Sequence, residues 1–135
     1  MKRNCFQKIM FAGVVLTGVL LLVGCQTEEQ KVKKVVKQSY KYMQAANYEG
    51  VVSLLPSDST VTDYHRNMMI GMLELARLSE GALVDFEITD VVVFDGGEHA
   101  AAKIKATYAV DKDSTRVSYE DARLVKLDEK WYMTL

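Results

Sequence analysis

Between residues 28 and 46 the apolar side chains Val32, Val35, Val36, Tyr40 and Met43 recur at steps of three and four, with polar residues opposite. This is the period of an amphipathic helix. Glu28 and Glu29 favour its N-terminus, and Glu29 with Lys33 forms a four-residue pair in the favourable direction. Asn47 interrupts the pattern. Tyr48, Val51, Val52 and Leu55 then give a shorter helical stripe, which Pro56 ends by disfavouring helical geometry at Leu55. Ser57, Asp58, Ser59 and Thr60 are turn and cap formers. They lead into residues 63–78, where Tyr64, Met68, Met72 and Leu75, together with Met69, Leu73 and Ala76, predict a third helix stopped by Gly81.

After Gly81 the period falls to two. Val84, Phe86 and Ile88 alternate with Asp85, Glu87 and Thr89, and residues 91–94 continue as a more buried run, predicting one long strand bulged near Asp90. Asp95-Gly96-Gly97-Glu98 is a hairpin signal. The strand beyond it puts Ala102, Ile104, Ala106, Tyr108 and Val110 on one face, the small residues leaving room for a helix. Turns at 111–114 and 128–130 separate a third strand over 117–127 from a last one over 131–135. Helices first and an antiparallel meander afterwards is the α+β pattern: N-terminal helices packed on a curved antiparallel four-stranded sheet.

That order, with a helical corner at Ala45-Ala46-Asn47-Tyr48-Glu49-Gly50-Val51-Val52-Ser53-Leu54-Leu55 and the terminal segment Leu124-Val125-Lys126-Leu127-Asp128-Glu129-Lys130-Trp131-Tyr132-Met133, resembles the nuclear transport factor 2-like (cystatin-like) family. It resembles in particular the small bacterial lipoprotein members of that family. The resemblance implies a cone-shaped pocket between sheet and long helix, used by some members for isomerase or dehydratase chemistry and by others for binding or assembly.

The front of the chain has a different character. Met1-Lys2-Arg3 and Lys8 precede an apolar run over residues 9–23, closed by Leu22-Val23-Gly24-Cys25. The run is shorter than the roughly 20 apolar residues of a permanent span and suits transient insertion before cleavage. Leu-x-Gly-Cys resembles the lipobox of prolipoproteins. The resemblance implies cleavage between Gly24 and Cys25 and lipidation of Cys25. The chain then divides into a signal at 1–24, a lipidated tether at 25–31 and a domain at 32–135. Cleavage leaves about 110 residues, the size of one domain, with a net charge of about −4. Such a balance does not favour nucleic acid. Cys5 departs with the signal, so no pair remains for a disulfide.

Candidate chemistry is sparse. Tyr40, Met68, Met72, Phe86, Tyr108 and Trp131 are the candidate pocket-lining residues, with Tyr42 and Tyr119 as further aromatics; packing is their ordinary role. His65 is flanked by Asp63 and Tyr64, but neighbours on a helix point apart. His99 follows the Gly96-Gly97 turn and reads as a solvated hairpin tip. Asp85 and Glu87 face away from Val84, Phe86 and Ile88, toward either solvent or a pocket. Residues 111–114 look like the start of a calcium loop, but Ala122 stands where a closing glutamate is required. Phosphate-loop, dinucleotide, zinc-protease and nucleophile-elbow motifs are absent from the sequence.

Lys31, Lys33, Lys34, Lys37 and Lys41 concentrate positive charge close behind Cys25, and the first four are candidate membrane-surface contacts. The expectation is an extracytoplasmic lipoprotein held in a bacterial membrane through Cys25. Its domain binds a protein or small ligand without catalysis, with no catalytic residue, metal or cofactor assigned. An isomerase-type or dehydratase-type envelope enzyme, or a homodimer paired through the sheet, are the alternatives.

Overall fold

The computed structural model describes residues 26–56 and 62–134. The basic start, the apolar run, Gly24, Cys25 and the turn at 57–60 lie outside them. Helix α1 (Glu28–Gln44), a short α2 (Tyr48–Ser53) and α3 (Asp63–Glu80) precede strands β1 (Ala82–Phe94), β2 (His99–Ala109), β3 (Thr115–Leu127) and β4 (Lys130–Thr134). The strands form one antiparallel sheet in the order β1-β2-β3-β4. The α+β architecture expected from the sequence is the observed one.

Each boundary has a local cause. Thr27 caps α1 through a capping box: its hydroxyl oxygen accepts from the Gln30 N–H at 3.2 Å, and Gln30 Oε1 accepts from the Thr27 N–H at 3.0 Å. Residues 28–31, which the sequence-based division counts with the tether, thus form the first turn of α1. Asn47 caps α2 by accepting from the Gly50 N–H at 3.1 Å.

The core lies between α1 and the sheet. Val32, Val36 and Tyr40 are buried in one cluster with Ala100, Ala102, Ile104 and Ala106 of β2, Ala122 and Leu124 of β3, and Trp131 of β4. The alanines keep this face of β2 shallow, so α1 approaches it closely.

Two expectations need correction. The register shifts between Leu83 and Asp85, and again between Ile88 and Asp90. The second shift is the bulge expected near Asp90. The first reverses the pleat, so Leu83 is buried and Val84 exposed. Residues 91–94 alternate rather than forming a buried run, with Val92 and Phe94 exposed on the outer face. Outside, Glu87 stands opposite Lys105 and Asp90 opposite Lys103.

The second correction concerns α3, which buries none of its residues. Tyr64, Met68, Met72, Leu75 and Leu78 are all exposed, while Leu73 and Ala76 face the protein. Apolar residues occupy most of this helix's circumference, so periodicity alone does not say which side turns inward. Because α1 already covers the sheet, α3 touches only its margin.

Among the described residues no helix is long and apolar enough to cross a membrane.

Candidate functional site

Two carboxylates, one on the inner face of the sheet and one in the first turn of α1, organise the two ends of the domain. Glu120 of β3 pairs with Ile104 and lies next but one along its strand from Ala122, so the pleat points it inward. Its Oε1 accepts from the Tyr40 hydroxyl at 2.7 Å and its Oε2 from the Tyr108 hydroxyl at 2.6 Å. These are short charge-assisted bonds. Burial, followed by the bonds to Glu120, pushes both phenols far above the ordinary tyrosine value of 10.0. Neither is a phenolate at neutral pH, and both oxygens of Glu120 are engaged. The arrangement fixes α1 to the sheet.

Beside this network is a cleft of about 80 Å³. Its apolar lining comes from Met43, Tyr48, Leu73, Ala76, Leu83 and Tyr108, and Arg77 and Glu80 supply the charged groups. Arg116 lies 5.1 Å from the Tyr108 ring centroid and its Nη2 is 3.6 Å from Glu80 Oε2, tying the end of α3 to β3. Pockets for drug-sized ligands span about 300–1,000 Å³, so this cleft suits only a few small atoms.

Glu28 organises the other end. Its Oε2 accepts from Trp131 Nε1–H at 2.9 Å and Lys126 Nζ at 3.1 Å, and its Oε1 from Lys31 Nζ at 3.3 Å. Burial opposes its ionisation, but these three donors outweigh it and hold the carboxyl below the ordinary value of 4.5. Burial likewise opposes the charge on Lys126, yet Glu28 and Glu129 keep that ammonium above its ordinary 10.5. A broader hollow of about 540 Å³ opens here, lined by Glu28, the Gly96-Gly97 turn, Glu98, Lys126, Asp128 and Glu129.

The structure separates the residues singled out in the sequence. Tyr108 lines the cleft. Tyr40 is buried beside it, with the Phe86 ring 5.4 Å away. Trp131 lies at the opposite end with Glu28. Met68 and Met72 are on the outward face of α3. Lys33, Lys34 and Lys37 are exposed along α1, and Lys31 is engaged by Glu28. His65 is exposed at the start of α3, its Nδ1 2.8 Å from the Thr62 hydroxyl; His99 is exposed, 3.3 Å from Asp95. Asp85 and Glu87 face solvent. Among the described residues no group of acidic, His or Cys side chains has a metal-holding arrangement.

Sequence reasoning missed Glu28 and Glu120. The signal for Glu120 was present, because Ala122 and Leu124 set the inward phase of β3. Glu28 gives no such signal, since its partners Lys126 and Trp131 lie about a hundred residues away.

Replacing Tyr40 or Tyr108 with Phe removes one donor from Glu120 and should cost about 1–2 kcal/mol each in urea denaturation. Both phenols titrate higher folded than unfolded. The stability they contribute is therefore fully present below about pH 10 and is lost as pH rises beyond it, so each variant should be less sensitive to alkali than the parent chain.

No family model and no curated protein matches this sequence. Solved structures do. A SEC-C motif containing protein from Rhodopseudomonas palustris aligns over 84% of this chain and 82% of its own, with 10% identity and a TM-score of 0.60. An NTF-2 like protein of unknown function from Shewanella oneidensis gives 77% and 92% coverage, 10% identity and a TM-score of 0.54. A protein of unknown function with a cystatin-like fold from Nostoc punctiforme gives 76% and 83%, 12% and 0.53. The chain has the nuclear transport factor 2-like, or cystatin-like, α+β fold.

Proposed function

We propose that this chain is a membrane-anchored extracytoplasmic lipoprotein whose folded part is a non-enzymatic binding or interaction module. The observation that carries the reading is the sequence Leu22-Val23-Gly24-Cys25 closing a short apolar run behind a basic start. Lipidation of Cys25 with two or more acyl chains gives stable anchorage.

The site geometry supports the binding half of the reading. Each oxygen of Glu120 accepts from a tyrosine hydroxyl that ties α1 or β2 to β3, the neighbouring cleft is small, and both histidines lie on the exterior.

The position of the Thr27 cap bears on how the domain would sit. Only Gln26 and Thr27 separate Cys25 from α1, a reach of about 10 Å from Cys25 to Glu28 when extended. The end of the domain carrying Glu28 and its hollow then lies against the bilayer. With α1 upright, Lys33 and Lys34 stand about 8–9 Å above Glu28 and Lys37 about 14 Å. Charge is screened within about 8–10 Å, so Lys33 and Lys34 contribute more to contact with anionic headgroups than Lys37.

Detergent-phase partitioning of cells expressing the chain tests the reading. The parent chain should enter the detergent phase and incorporate labelled fatty acid. Cys25→Ser should lose the label and keep residues 1–24. Equal labelling of both, or of neither, overturns it. Lys33→Gln with Lys34→Gln should also weaken binding to anionic vesicles more than Lys37→Gln does.

A further inference from the structure

The outward face of α3 is used by neither the core nor the proposed anchorage. At about 100° per residue, Leu78, Gly71, Tyr64, Leu75, Met68, Ser79 and Met72 fall in sequence around an arc of about 120° that contains no charged side chain. Five of these are large apolar residues with 48–83% of their surface exposed. A helix that is apolar outward as well as inward belongs in a packed environment on both sides.

Gly71 lies at the middle of this helix. A glycine there costs about 0.5–1 kcal/mol relative to alanine. Nothing among the described residues requires it, because a Cβ at Gly71 would meet no atom within 4 Å. The fold of one copy therefore gives no reason for a bare backbone at this point, whereas close approach of a second helix does.

We infer that this face of α3 pairs with the same face of a second copy of the chain, antiparallel, about a two-fold axis through Gly71. The profile of the stripe is self-complementary under that operation. Gly71 meets the partner's Gly71 at the crossing point, Met68 lies against the partner's Leu75, and Tyr64 lies against the partner's Leu78. Asn67 and Glu74 border one side of the stripe. The same axis brings the Asn67 amide opposite the partner's Glu74 carboxylate, a donor to an acceptor, twice over.

A bilayer is the less suitable occupant. The borders of the stripe hold Asp63, Asn67 and Glu74 on one side and His65 on the other, where a membrane-surface helix carries lysine and arginine. The contact extends along about 21 Å of helix and is smaller than the roughly 800 Å² per partner of a standard interface, so the dimer should be reversible and concentration-dependent.

The test uses the full chain in intact cells and does not depend on lipid anchoring. Gly71→Cys places two thiols at the axis, within disulfide reach. Mild oxidation should produce a linked dimer at least tenfold above the parent chain, whose Cys5 and Cys25 set the background. Arg66→Cys, on the far side of the helix, should stay at background. Adding Leu75→Glu to Gly71→Cys should reduce the dimer at least fivefold, with the far-ultraviolet dichroism of the purified protein unchanged. Equal cross-linking of Gly71→Cys and Arg66→Cys overturns the inference. So does a Gly71→Cys thiol that stays monomeric, whether it reacts freely with aqueous maleimide or is shielded by a lipid or an unrelated protein.

Discussion

Replacing Gly81 with Ala is expected to destabilise the domain by about 3–5 kcal/mol, a loss that urea denaturation followed by circular dichroism will measure directly. Gly81 ends α3 with its N–H donating to the Arg77 carbonyl at 2.9 Å, and its backbone sits at φ 97°, ψ 175°. That region is essentially closed to residues with a side chain. A Cβ there would also collide with the backbone carbonyl of Ala109, an atom fixed by the sheet. Relief requires moving the end of β2 or unwinding the last turn of α3, and either change opens the cleft that Gly81 helps line. Gly96 is the internal control. Its φ is 67° and nothing lies within 4 Å of an added Cβ, so Gly96→Ala should cost only about 1 kcal/mol.

Glu28→Ala should cost about 2–4 kcal/mol at neutral pH. The substitution leaves the Trp131 indole N–H without its acceptor and deprives Lys126, whose side chain is 13% exposed, of its nearest carboxylate. Losing one partner of a buried pair costs about 3–5 kcal/mol. Lys31 is 40% exposed and contributes little, which places the expectation toward the lower end of that range. Since the folded carboxyl titrates below the ordinary 4.5, its contribution is present above that pH and disappears as pH falls through the lower folded value. The gap in urea midpoint between the parent chain and Glu28→Ala should therefore narrow in acid. A gap that stays constant from pH 7 to pH 3 would show that Glu28 acts by packing rather than by charge.

Both effects show what the sequence can and cannot reveal. The stop at Gly81 is local: a helical period ends, a period of two begins, and glycine stands between them. The same local logic gave the long β1, its bulge near Asp90, the Gly96-Gly97 turn and the inward face of β2 from Ala102 to Tyr108, whereas Val110, assigned to that face, lies exposed beyond the strand's end. The reversed phase at Leu83 and Val84 was not legible, because a bulge one pleat earlier leaves the alternation downstream intact. On α3 the pattern marked apolar positions but not their direction, so Met68 and Met72 were placed toward a pocket although they face outward. The carboxylate at Glu28 reads as a helix-start charge in the sequence. Its second role depends on β4 returning Trp131 to the first turn of α1, a contact between the two ends of the domain.

The proposed anchoring and the domain structure meet at the two residues between Cys25 and helix α1, Gln26 and the capping Thr27; with Cys25 lipidated, they would leave the folded part little freedom to rise from a bilayer. The mass of the native protein extracted from its own membranes tests this most directly. The account predicts a polypeptide beginning at Cys25 and carrying a diacylglyceryl group on its sulfur. A native chain that still begins at Met1, with Cys25 as a free thiol and recovered in buffer without detergent, would contradict it.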